Sequence, residues 1–457
     1  MDTSTPSTAS GTKASVSGIK ATAKVGFYTA VSLVIANMVG TGVFTSLGFQ
    51  LYDIKSPFVI ICLWLVGGII ALCGALTYGE IGVALPRSGG EYNYLSKLYH
   101  PLFGFLSGWV SVTVGFAAPV ALAAMALGNY VSKIFPEVNS IYLALIVIII
   151  ITSIHATNLK LGSGFQRFFT LLKVVVIVFF IGAGFWIEPG HVTTVLPQAT
   201  TWKEIFSPAF AISLIYVSYA YSGWNAASYM AEEIENPKRN LPRSLFVGTL
   251  VVTVLYVLLN FIFMYTVPTD KLTGYVEVGY LSAINIFGNK LGNMMGLVIA
   301  LLLVSSISAM IMAGPRITKS MGEDMGFMRF LAKTNTHGVP YVAVIFQSLI
   351  TVVLILTAQF ESVLTFIGFS LSLFTFLTVM GIFIVRKRKL SENAGYKTFG
   401  YPFVPVIYLF LNLWMMYYVF TDKPKESLYG IANVVLGAIV WLIFNNKKAA
   451  PVDQSGL

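Results

Sequence analysis

Charge is scarce in this chain. Only 11% of its 457 residues are Asp, Glu, Lys or Arg, against about 25% in a soluble domain. A water-soluble protein of this length could not cover its surface with so few charges. Cysteine is scarcer still. Cys62 and Cys73 are the only two, and both fall inside one apolar run, which argues against a disulfide framework or a cysteine metal site. His100, His155, His191 and His337 are scattered without metal-ligand spacing, and neither HExxH nor GxSxG occurs. No nucleophile, base or metal set converges at one depth, as a membrane-embedded enzyme needs. No enzymatic activity, metal or cofactor is therefore expected. The first twenty residues are polar and rich in Ser and Thr, without the apolar stretch of a cleavable signal. The net charge of +10 is not gathered on one basic face, which argues against nucleic acid as a partner.

Apolar residues are abundant. They make up 56% of the chain and form continuous runs, many longer than the ~18 residues that mark a membrane-spanning helix. The runs do not alternate, so helices rather than barrel strands are expected. The expected fold is an all-α integral membrane protein with about twelve transmembrane helices. The spans read near 25–51, 57–84, 102–134, 140–157, 165–187, 205–231, 244–267, 291–315, 339–358, 361–385, 401–420 and 427–444, with a short helix outside the membrane over 278–289. Residues 1–18 read as a disordered cytoplasmic tail and 446–457 as a second tail. An even span count puts both termini on one side. Of the 29 Lys and Arg, 22 fall on that side and 7 on the other, so both termini are expected in the cytoplasm.

Two spans carry matched interruptions. Span one reads Asn37-Met38-Val39-Gly40-Thr41-Gly42-Val43-Phe44, and span six reads Tyr219-Ala220-Tyr221-Ser222-Gly223-Trp224-Asn225. They open two consecutive groups of five helices. Inverted-repeat transporters place their substrate where two such helices unwind, and glycine permits the unwinding. A half-helix starting near Thr41 suits a carboxylate. The carbonyls that end the preceding half-helices, near Val39 and Tyr221, suit an ammonium group. Together they fit the backbone shared by all amino acids.

Gly40-Thr41-Gly42-Val43-Phe44, Tyr78-Gly79-Glu80, Pro86-Arg87-Ser88-Gly89-Gly90-Glu91-Tyr92, the span-six motif and Asn236-Pro237 through Pro242-Arg243 together carry a resemblance. They resemble the amino acid–polyamine–organocation transporters, and within them the L-type amino acid transporter branch. The resemblance spans roughly 24–390. It implies a five-plus-five inverted repeat with broken helices one and six, the first repeat over 19–190 and the second over 191–390. Two peripheral helices, over 391–445, complete the fold. It implies a bundle of spans one, two, six and seven rocking against a scaffold. Substrate contacts are implied at Gly40, Thr41, Gly42, Tyr219, Ser222 and Asn225. Tyr219 stands where the branch usually has phenylalanine, and Ser222 where it often has glycine. Span eight, with Ser305, Ser306 and Ser308 before Ala313-Gly314-Pro315-Arg316, looks bacterial, so a bacterial inner membrane is expected.

Lys173 lies eight residues into span five, and an ionisable residue inside the membrane is a functional candidate. The resemblance implies that its ammonium bridges spans one and eight, where sodium-coupled relatives bind a cation. No sodium requirement is then expected, and transport proceeds by exchange or by proton coupling. Glu80, Glu232 and Glu233 are candidate gate residues, pairing with Arg87 or Arg239, unless they are solvated interfacial charges. His155 reads as a packed or interfacial residue rather than a proton relay. No acidic residue is evident in the candidate site, which favours neutral amino acids over cationic amino acids or polyamines. Gly115, Ala117, Ala118 and Ala121 either leave room for an apolar side chain or only allow tight helix packing. A non-transporting amino acid sensor is the alternative outside transport. The loop over 133–140 has no cysteine, so no disulfide-linked heavy chain is expected.

Overall fold

The computed structural model describes residues 25–157, 162–188, 196–392 and 394–445. The two tails and the expected repeat boundary at 190–191 lie outside the described residues. Among the described residues, ten helices are long and apolar enough to cross a membrane, and Tyr341–Thr357 is a shorter apolar helix. With Pro208–Tyr221, the helical part of a broken span, they supply the twelve expected spans.

Span boundaries have local causes. Ser56 and Ser207 precede Pro57 and Pro208, and their hydroxyls accept from the N–H groups of Val59 (3.5 Å) and Phe210 (3.3 Å). A serine cap with proline in the first turn is a helix start that needs no tertiary help. Within the spans, hydroxyls such as those of Thr77, Thr249 and Thr378 donate to carbonyls four residues back. This satisfies polar groups that neither lipid nor core could solvate.

Three spans are irregular near one another. Span one is helical over Phe27–Met38, leaves helical geometry at Val39 (ψ 88°), and resumes as two short turns, Gly42–Thr45 and Leu47–Gln50. Span six ends its regular helix at Tyr221, breaks at Ser222 (ψ 148°) and continues as a 3₁₀ segment, Ala226–Glu233. Gly223 sits there at φ +95°, and a Cβ on it would stand 2.8 Å from the Asn37 backbone. Only glycine satisfies both constraints, and the contact joins the two breaks. Span three carries a π-turn, Ser111–Gly115, which the sequence reading does not anticipate. The long helix Val278–Asp324 kinks at Gly288 (φ 71°), which separates the short helix expected near 278–289 from span eight.

Spans one, two, six and seven pack on one another, and span three packs on span eight. Span eleven lies against spans two, six and ten, and span twelve against spans three and ten.

Candidate functional site

A cavity of about 570 Å³ lies at the two breaks. Gly40, Thr41 and Gly42 of span one and Tyr219, Ser222 and Asn225 of span six all border it. The spans approach closely at Gly42, where a Cβ would stand 2.5 Å from Ala220 Cα. The phenol of Tyr219 lies beside the Thr41 hydroxyl.

The backbone at the breaks is only partly open. Tyr256 donates its hydroxyl to Met38 O (2.6 Å) and lies against the Gly40 backbone N–H. The Ser222 N–H donates to Tyr219 O (2.9 Å). No hydrogen bond to the carbonyls of Val39 or Tyr221 is found among the described residues. Tyr221 borders the cavity, and Val39 does not. Beyond the break, span one forms two four-residue turns, not one half-helix. The expected macrodipole is therefore small, and any anion would be held by the local N–H groups of the first turn.

Lys173 is buried and donates to Ser306 Oγ of span eight (2.8 Å). Ser306 borders the cavity, and its neighbour Ser305 holds a buried hydroxyl without a hydrogen-bond partner. The bridge to span eight is present. No hydrogen bond from Lys173 to span one is found among the described residues. His155 hydrogen-bonds Ser308 (2.8 Å) and ties span four to span eight.

The expected gate pairs are corrected. Glu80 is neither solvated nor paired with Arg87 or Arg239. It is fully buried and paired with Arg386 at 2.6 Å, and it accepts from the Thr398 N–H (2.7 Å). A desolvated carboxylate takes the guanidinium that tertiary structure brings to it, here from a tract that reads only as a topology signal. Glu232 and Glu233 are exposed, and neither makes an ion pair among the described residues. Of the two, only Glu233 borders the cavity.

Span three divides between its two expected roles. Gly115 borders the cavity, whereas Ala117, Ala118 and Ala121 are buried in helix packing, and Ala117 O accepts from Thr351 (3.1 Å).

Glu91 is the residue that sequence reasoning missed. It opens the short helix Glu91–Leu98, is buried, and borders the cavity. Its carboxylate accepts from Tyr78 (2.9 Å), Asn225 (2.5 Å) and Tyr229. Its place in the Gly89-Gly90-Glu91 turn is the only signal in the sequence. Gly90 there has φ +53°, and a Cβ on it would strike the Tyr229 ring at 2.6 Å. The turn thus brings the loop against span six.

Of the residues that border the cavity, Glu233 and Arg316 are exposed and mark its mouth, and Val25 N–H donates to Glu233 O (2.8 Å), so the mouth lies beside the start of span one. On the opposite side, residues 41–51 are buried. There Phe49 stacks on Phe360 (5.6 Å), Tyr216 donates to Glu361 (2.8 Å), and Tyr130 donates to Phe44 O (3.0 Å). Lys423, in the turn between spans eleven and twelve, also pairs with Glu361 at 2.9 Å. Burial pulls the Lys423 ammonium down, but the carboxylate more than offsets this and holds it above the usual lysine value.

Comparison with known proteins agrees with this geometry. The chain is 26% identical to the "Serine/threonine exchanger SteT" of Bacillus subtilis, over 84% of this chain and 88% of that protein. It is 26% identical to "Large neutral amino acids transporter small subunit 2" of Mus musculus, over 93% and 82% of the two chains. It is likewise 26% identical to the mouse "b(0,+)-type amino acid transporter 1", over 92% and 88%. Residues 25–444 match the family described as "Amino acid permease". With broken helices around one cavity and a family match over nearly the whole chain, this protein belongs to the amino acid permease family.

Proposed function

We propose that this permease is a secondary active transporter of neutral amino acids, working by alternating access without sodium, by exchange or by proton coupling. The observation that carries the reading is one cavity bordered by both breaks, at Gly40–Gly42 and at Ser222–Asn225. The main-chain groups freed there suit a zwitterion, and the mouth on one side with a packed seal on the other suits one end state of a rocking cycle. The bundle of spans one, two, six and seven, drawn from both groups of five, is one of the two bodies, and the scaffold is the other. The mouth is read as cytoplasmic and the membrane as a bacterial inner membrane, with both termini inside.

Lys173 supports sodium independence, because an ammonium bonded to Ser306 occupies the region where a cation would otherwise bind. A serine/threonine exchanger and a large neutral amino acid transporter among the relatives agree with a neutral substrate. Glu91 favours a second reading, transport of cationic amino acids, because it places a carboxylate on the cavity wall. The neutral reading stays ahead because three donors already satisfy that carboxylate.

Counterflow in proteoliposomes tests the reading. Vesicles loaded with unlabelled neutral amino acids should accumulate labelled alanine or leucine without sodium, and arginine poorly. Dependence on added sodium would overturn the Lys173 argument, and accumulation of arginine alone would favour the second reading. Lys173→Ala should lower uptake about tenfold, since the bridge to span eight is lost. Under proton coupling the residual uptake also loses its pH dependence, whereas under exchange the pH profile is unchanged. Full activity with an unaltered profile would remove Lys173 from the mechanism.

A further inference from the structure

Span eleven lies outside both groups of five helices, yet two of its buried side chains, Tyr408 and Asn412, border the cavity. They stand one helical turn apart and so share a face. Ser218 of span six and Ser372 and Thr375 of span ten border the same cavity, and the Tyr408 phenol lies close to Thr375 and Asn412. These residues form a lobe on the side of span six that faces spans ten and eleven.

The polar groups of this lobe are incompletely used. The hydrogen bond found for the Ser218 hydroxyl is to Met415 Sδ at 3.4 Å, and a thioether is a weak acceptor. Asn412 donates its amide to Tyr408 O in its own helix (3.0 Å), which leaves its side-chain oxygen as an acceptor. Thr375 donates to Leu371 O (3.2 Å) and keeps its own oxygen lone pairs. The lobe therefore offers the hydroxyls of Ser218, Ser372 and Tyr408 as donors and the side-chain oxygens of Asn412 and Thr375 as acceptors, with no charge. The charged residues bordering the cavity, Glu91, Glu233 and Arg316, belong to the inner loop, the far end of span six and the end of span eight.

We propose that this lobe is a side-chain subsite that selects small neutral polar side chains, those bearing a hydroxyl or a carboxamide. The inference rests on the cavity being the amino acid site. A hydroxyl both donates and accepts, as the lobe requires. A branched apolar side chain would desolvate Ser218 and Asn412 without replacing their hydrogen bonds, and a cationic one would find Glu91, whose carboxylate already accepts three hydrogen bonds. Polar pockets discriminate strongly against ligands that leave them unpaired.

The test reads inhibition of labelled alanine counterflow by unlabelled threonine, asparagine, leucine and lysine. The wild-type protein should prefer threonine and asparagine to leucine and lysine. In Ser218→Ala/Asn412→Leu the threonine-to-leucine preference should fall about tenfold, for two lost hydrogen bonds. The ratio is internal to each variant, so a general loss of activity does not imitate the effect. If the double variant loses counterflow altogether, the same ratio in Ser218→Ala and in Asn412→Ser decides. An unchanged ratio, or a wild-type preference for leucine, overturns the subsite. Absence of any amino acid counterflow in the folded wild type overturns instead the reading on which it rests.

Discussion

Gly42→Ala should lower transport on the order of 100-fold, the effect that a misplacement of about 1 Å can have on a positioned site. The added Cβ would stand 2.5 Å from Ala220 Cα and 2.7 Å from its Cβ. Both obstacles are rigid, one of them main chain, so the two broken spans must part. That shift draws Thr41 away from Tyr219, which it lies beside at the same crossing. Gly40→Ala is the matched control. Its Cβ would meet only Met38 O, at 3.8 Å, so it tests the backbone freedom of the break without separating the spans. Initial exchange rates, normalised to folded protein by gel filtration, decide the matter. Wild-type rates in Gly42→Ala would show that this close crossing of the two breaks does not set the geometry of transport.

Much of this arrangement is legible in the sequence because the bilayer leaves the backbone few choices. A run such as 57–84 has to be a helix, since nothing else satisfies its N–H and C=O groups in hydrocarbon. The breaks are legible because glycines mark them, Gly223 for its positive φ and Gly42 for its close approach to Ala220. Features that depend on meeting a distant segment are not legible. The π-turn over Ser111–Gly115 has no composition of its own. Glu91 reads as a loop acid until Gly90 folds the loop onto Tyr229. Span eleven reads as an ordinary outer helix. Only its packing against spans six and ten turns Tyr408 and Asn412 toward the cavity. Small residues in a span carry the weakest signal. Gly115 reached the cavity while Ala117, Ala118 and Ala121 served packing, because close helix contact and an open pocket both call for small side chains.

Arg386→Met should cost about 3 kcal/mol of stability, the lower end of the range for stripping a buried charge of its partner. The Glu80 side chain is 0% exposed and that of Arg386 24%. Water thus already screens the arginine while the carboxylate has no such relief. Without the guanidinium, Glu80 keeps the Thr398 N–H (2.7 Å) and the nearby Ser391 and Thr398 hydroxyls, none of them charged, and Tyr401 loses the cation stacked 4.5 Å from its ring centre. Glu80→Gln should cost less. It removes the buried anion, and its carbonyl can still accept from Thr398 and Arg386. The two variants should therefore rank Arg386→Met below Glu80→Gln below wild type in apparent melting temperature in detergent. Transport per folded molecule should stay within about twofold in both, as expected for changes remote from the site. The reason is conformational. Glu80 on span two and Arg386 on span ten are already paired while the mouth between Glu233 and Arg316 stands open. A contact that is intact when the mouth is open is not the lock that holds the mouth shut. If the pair were a gate, its loss would change the rate of exchange and leave the melting temperature near wild type, the reverse of the expected order.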